Sequence, residues 1–158
     1  MIFIDTQLWV FAQKPPNKKK FRNEETYNQL LQNHQISKTF IAQKVETEEI
    51  SMTYHQLGEI FHSLAYRGDK ISLKFCQKYC WQLLDSQFIC WYPITQEHLK
   101  TCITLSTDSG IHIWDYICVV PLIKEIIEIY SCDAHFQHDS FQQFGKPIIN
   151  PLNQWIPF

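Results

Sequence analysis

The sequence predicts an α/β sandwich built on a mostly parallel sheet with helices on both faces. Short apolar, β-prone runs alternate along the chain with amphipathic segments long enough to be crossover helices, and the opening run is apolar throughout, as a strand covered on both faces is. Size agrees: 158 residues, 45% hydrophobic and 19% charged, suit one domain spanning residues 1–158. A formal net charge of −2 lacks the high charge and low hydrophobicity of disordered chains.

Met1-Ile2-Phe3-Ile4 reads as a buried strand that stops at Asp5-Thr6 and so delivers a carboxylate at its C-terminal end. Asp5 or Thr6 caps a short helix through Trp9, Val10 and Phe11, which Lys14-Pro15-Pro16-Asn17 breaks. A basic loop, Lys18-Lys19-Lys20-Phe21-Arg22, follows. Helix formers with Tyr27, Leu30 and Leu31 at helical spacing predict a helix from Glu24 to Asn33, and Glu48 to Met52 reads as a strand. Leu57, Ile60, Phe61, Leu64 and Ala65 recur at i, i+3, i+4, i+7 and i+8, which predicts an amphipathic helix over Tyr54 to Tyr66 ended by Gly68, with Glu59 on its flank. Ile71 to Leu84 is a further helix, Gln87 to Tyr92 a strand stopped by Pro93, and Glu97 to Leu105 a short helix before the turn Thr107-Asp108-Ser109-Gly110. A helix beginning near Ile113 or Trp114 carries Asp115 in its first turn and is expected to run to about Lys124 with a kink at Pro121. Ile126 to Tyr130 is the next strand, ending at Ser131-Cys132-Asp133, and a last short strand lies within Lys146 to Pro151.

Several chemistries are excluded by composition. Gly58, Gly68, Gly110 and Gly145 are scattered, so neither a phosphate-cradling Walker loop nor a dinucleotide fingerprint can form. The six cysteines contain no CxxC pair and sit among apolar neighbours, as core residues rather than zinc ligands. The uncharged stretch from Tyr116 to Ile123 is far too short to span a membrane. Asp5 interrupts the N-terminal apolar run and no secretory signal is read, so a cytoplasmic location is expected. Without a basic excess, nucleic-acid binding would have to come from a local patch.

The informative feature is the acids. Asp5 and Asp133 each follow an apolar strand, so a parallel arrangement puts both at one edge of the sheet, where sites in such folds lie. Asp115, at a helix start, and Glu59, on a helix that follows a strand, can reach the same edge. Four converging carboxylates repel one another unless a divalent cation neutralises them, and hard Mg²⁺ or Mn²⁺ suits oxygen donors.

Ile2-Phe3-Ile4-Asp5-Thr6, Leu57-Gly58-Glu59-Ile60-Phe61, Ile113-Trp114-Asp115-Tyr116 and Tyr130-Ser131-Cys132-Asp133, with the closing Ile149-Asn150-Pro151, resemble a PIN domain of the VapC toxin type over nearly the whole chain. The resemblance implies a three-layer α/β/α sandwich and a metal-dependent endoribonuclease with Mg²⁺ or Mn²⁺ as cofactor. It further implies an acidic quartet of Asp5, Glu59, Asp115 and Asp133 that holds the metal, with the hydroxyls of Thr6 and Ser131 supporting it. RNA as substrate, a cognate antitoxin and a homodimer are the partners it suggests, with no membrane. Gln7 stands where many members carry asparagine, and Cys132 where an acid is common. A catalytically weak RNA-binding or scaffold module on the same fold is the competing reading.

Lys18, Lys19, Lys20 and Arg22, with Phe21 among them, are candidates for holding an RNA backbone beside the acids. Trp114, Phe136 and Phe141 could stack on bases. The dense histidine segment His135-Phe136-Gln137-His138-Asp139 reads as a surface loop rather than a set of metal ligands.

Overall fold

In a computed structural model, which describes residues 1–152 and 154–157, five parallel strands form one sheet. They are β1 (Ile2–Ile4), β2 (Ile50–Thr53), β3 (Ile89–Tyr92), β4 (Glu128–Tyr130) and β5 (Ile148–Ile149), in the spatial order β3-β2-β1-β4-β5. Seven α-helices connect or flank them among the described residues: α1 (Thr6–Gln13), α2 (Glu24–Thr47), α3 (Tyr54–Tyr66), α4 (Leu73–Leu84), α5 (Gln96–Ser109), α6 (Ile113–Val119) and α7 (Asp139–Gln142). The predicted α/β/α sandwich is therefore the observed one.

The pleat of β1 shows why the sheet is covered twice. Ile2 and Ile4 enter a core with residues of α1, α2, α3 and α4, whereas Phe3 enters a second core with Cys102 of α5, Tyr116 and Ile117 of α6, and Phe136 and Phe141. All three strand residues are fully buried. The end of β1 is fixed by side chains: the Ile4 carbonyl accepts from Trp9 Nε1 at 3.1 Å and from Gln56 Nε2 at 2.7 Å. These two donors, from α1 and α3, hold the point at which Asp5 leaves the sheet.

Three elements end more than two residues from where they were expected, and β2, β3, β4 and α4 begin two residues later than expected. α2 does not stop at Asn33 but runs to Thr47, with Ile36, Phe40, Ile41 and Val45 continuing its inward face. Its buried positions include Asn33, which accepts from Gln29 Nε2 at 3.1 Å, and Ser37, and these interrupt the apolar periodicity in the sequence without interrupting the helix. α5 continues through the expected turn to Ser109, where Gly110 closes it in the left-handed conformation, φ 74°, its N–H bonded to the Ser106 carbonyl. α6 ends at Val119 and passes into a 3-10 turn, Val120–Leu122, because Pro121 lacks the N–H that another α-helical turn requires.

No helix among the described residues is long and apolar enough to cross a membrane.

Candidate active site

The chain proceeds from β1 outward to β2 and β3 and then returns to the far side of β1 as β4, so the order reverses between β1 and β4. At such a reversal the connections after the two strands diverge to opposite faces and leave a crevice at their carboxyl ends. Asp5 follows β1 there, its N–H bonded to the Tyr130 carbonyl of β4 at 2.8 Å. Just beyond β4, the Asp133 N–H donates to the Ser131 hydroxyl oxygen at 3.0 Å, while that hydroxyl donates to Asp5 Oδ2 at 2.9 Å. Ser131 thus ties the two carboxylate-bearing segments together.

Glu59 arrives from α3, where Thr6 Oγ1 donates to its Oε2 at 2.7 Å and the Cys118 thiol lies 3.5 Å from the same oxygen. Asp115 arrives from the first turn of α6. Asp5, Glu59, Asp115 and Asp133 line one cavity of about 300 Å³ with Thr6, Gln7, Ser63, Arg67, His112, Trp114 and His135. The four acids singled out in the sequence line the same cavity, and the Thr6 and Ser131 hydroxyls donate to two of them, Glu59 and Asp5.

Convergence has an electrostatic cost. Burial and then the charge of Asp115 hold the Asp5 carboxyl well above the usual carboxylate range, against the opposing effect of the Ser131 hydroxyl. Burial and then Asp133 push Asp115 up to about 7, with His135 working the other way. Asp133 is raised chiefly by burial, offset in part by the His135 N–H that its Oδ1 accepts at 2.8 Å.

His135 is the residue that the sequence reading misplaced. The loop is a 3-10 turn, Ala134–Gln137, capped by Asp133, and it aims the His135 ring into the crevice. Its Nδ1 lies 3.1 Å from Asp115 Oδ2 and 3.4 Å from Asp133 Oδ1. Asp115, Asp133 and His135 each offer a ligand atom, all within 4.8 Å of one another. Two carboxylates and an imidazole are a donor set that could hold a divalent cation. The signal was the spacing Asp133-x-His135, which is informative only once the turn is known.

Other candidates separate. Phe136 and Phe141 are fully buried and stack on each other and on core partners, so neither can meet a base, whereas Trp114 is 51% exposed. Cys132, where family members often carry an acid, is fully buried in the core that also holds Ile2 and Ile4, so its side chain does not line the acidic cavity. In the basic segment, Lys18 pairs with Glu24 and Lys20 with Asp69, while Lys19 and Arg22 have no ion-pair partner among the described residues. Phe21 of that segment lines a neighbouring cavity that shares Gln7, Ser63 and Arg67 with the acidic one. Arg67, just beyond α3, is a cation at the site that sequence reading passed over, because a single exposed arginine carries no pattern.

No protein-family model matches the sequence, and no curated protein matches it either. Solved structures do. The chain is similar to the sarcin-ricin loop cleaving toxin VapC20 of Mycobacterium tuberculosis, with a TM-score of 0.63 and 16% identity over 87% of this chain and 93% of that one. It is also similar to FitAB bound to an IR36 DNA fragment, TM-score 0.60, 12% identity, covering 96% and 95% of the two chains. VapBC2 of Rickettsia felis, bound to a DNA fragment from its promoter, matches with a TM-score of 0.58 and 12% identity over 95% of this chain and 98% of the other. All three are PIN-domain structures, and the fold of this chain is the PIN fold.

Proposed function

We propose that the protein is a metal-dependent endoribonuclease that hydrolyses RNA phosphodiesters and acts as the toxin of a toxin and antitoxin pair in the cytoplasm. The observation that carries this reading is the convergence of Asp5, Glu59, Asp115 and Asp133 on one crevice at the β1/β4 reversal. The likeness of fold to an RNA-cleaving toxin and to FitAB and VapBC2 supports it, and supports a cognate antitoxin as partner. A homodimer is proposed with it, from the sequence resemblance alone.

Asp5, Asp115 and Asp133 would hold Mg²⁺ or Mn²⁺, with His135 within reach of the same position. Bound there, the ion supplies Lewis-acid polarisation of the phosphate and a more acidic water. The chain's own residues do the rest. Ser131 holds the Asp5 carboxylate in place, and Thr6 holds Glu59 so that its free oxygen can orient a water at the crevice mouth. Arg67 lines the same cavity and offers a positive charge to a polyanion held there. Nothing in the arrangement requires a covalent nucleophile.

Chelation is expected to abolish RNA cleavage by the purified protein, and Mg²⁺ or Mn²⁺ to restore it, as followed on a labelled RNA. Cleavage that persists in chelator, or returns with neither ion, would refute the metal assignment. A protein that binds RNA but never cleaves it would be the scaffold module instead.

The basic segment is proposed to add affinity rather than chemistry. Replacing Lys18, Lys19, Lys20 and Arg22 with glutamine should weaken RNA binding and flatten its salt dependence by roughly 0.7 in log–log slope for each phosphate that is no longer neutralised. Turnover at saturating RNA should stay near normal. An unchanged salt slope would reduce the segment to a solvated connection.

A further inference from the structure

Resting on the nuclease reading above, we infer that the groove beside the acids is a subsite for one nucleobase, which stacks on Trp114 while its adjoining phosphate meets Arg67. The groove, a cavity of about 510 Å³, is lined by Tyr54, His55, Gly58, His62, Arg67 and Trp114, and Glu59 is its only carboxylate. It shares Glu59, Arg67 and Trp114 with the acidic cavity, so a nucleotide with its phosphate at the acids has the groove within reach of its neighbouring base.

Its aromatic rings are exposed yet braced. Trp114 is 51% exposed while its indole stacks on the His55 imidazole, with centroids 5.1 Å apart and planes 12° from parallel. Tyr54 is 57% exposed and stacks on Trp91 at 5.4 Å and 12°. A ring braced from beneath has already given up its rotamer freedom, so covering it with a base costs little further entropy. Charge completes the match: Arg67 has no ion-pair partner among the described residues and stands between the aromatic groove and the acids, where a backbone phosphate adjoining the stacked base would fall. Bases in an A-form duplex are paired and stacked inside it and cannot reach Trp114, whereas a loop or single strand can present one.

The test uses the Asp5→Asn protein in Mg²⁺, which on the nuclease reading holds RNA without cutting it. Affinity is measured for short single-stranded RNAs, for the same RNAs with one abasic position moved along the chain, and for a duplex of the same sequence. Trp114→Ala should weaken single-strand binding by roughly ten- to a hundredfold, and Trp114→Phe should recover most of it. One abasic position should weaken binding to the Asp5→Asn protein similarly and have no further effect once Trp114 is alanine. The duplex should bind with no dependence on Trp114. Single-strand affinity of the Trp114→Ala protein equal to that of its Asp5→Asn parent overturns the subsite, as does an abasic penalty that persists after Trp114 is removed. Loss of a dimer on Trp114→Ala, with RNA affinity unchanged, assigns the face to a second copy and also overturns it. The two readings fail separately. Wild-type protein that cleaves RNA while Trp114→Ala leaves affinity unchanged sinks only the subsite. Trp114-dependent stacking by a wild-type protein that cleaves nothing sinks only the nuclease.

Discussion

Asp5→Asn should lower RNA cleavage by about 10²- to 10⁴-fold, the several kcal/mol that one metal-holding charge supplies to the transition state. The fold should survive, for a reason visible in the crevice. The Ser131 hydroxyl needs only an acceptor, which the asparagine carbonyl oxygen provides, and the backbone link from residue 5 to Tyr130 is untouched. Because burial and neighbouring acids already oppose the charge on Asp5, its removal should leave the melting temperature equal to or above that of wild type in the absence of metal. Asp133→Asn should behave alike in cleavage. Wild-type turnover in a folded Asp5→Asn protein, judged by circular dichroism and melting, would remove the quartet from the chemistry altogether.

The second large effect is on stability. In chelator, the protein should be more stable at pH 5 than at pH 8, by about 5 °C in melting temperature. The sign follows from the raised carboxyls. Asp115 takes up its proton at about 7 in the folded protein but in the ordinary carboxylate range when unfolded, and Asp5 is raised in the same direction. Between those limits the folded state binds more protons than the unfolded one, so the stabilisation is complete below the unfolded value and is lost as pH rises through the folded one. Asp69, whose carboxyl Lys20 holds below the usual range, acts only at lower pH and does not disturb the window. Mg²⁺ should raise the melting temperature most at pH 8, where the acids are charged, and Asp115→Asn should flatten the pH slope. A melting temperature that rises from pH 5 to pH 8 in chelator, with Asp115→Asn indistinguishable from wild type, would mean that the carboxylates do not interact.

Both predictions rest on residues that the sequence already singled out, which reflects how the two kinds of information divide. A strand such as Ile2-Phe3-Ile4 is legible because covering it on both faces demands uninterrupted apolar residues, and the polar residue that ends it is then necessarily at a sheet edge. Two such strands in a parallel sheet put Asp5 and Asp133 at the same sheet edge, and the pairing of β1 with β4 then brings them side by side. The α3 stripe is legible for a similar reason, since one face meets the core and the flank that carries Glu59 does not. α2 was half hidden because its inward face carries Asn33 and Ser37, and a buried polar residue looks in sequence like the end of a helix.

By itself, then, the sequence determined the α/β/α sandwich and the sheet edge to which the four carboxylates come, because burial and strand ends impose local patterns. Only the tertiary structure decided that His135 joins the acids, that Phe136 and Phe141 belong to the core, and that Trp114 and Arg67 form one face beside the crevice. These depend on the direction of a 3-10 turn and on the packing of α3 against α6, segments far apart in the chain, and no periodicity within either segment encodes where the other will pass.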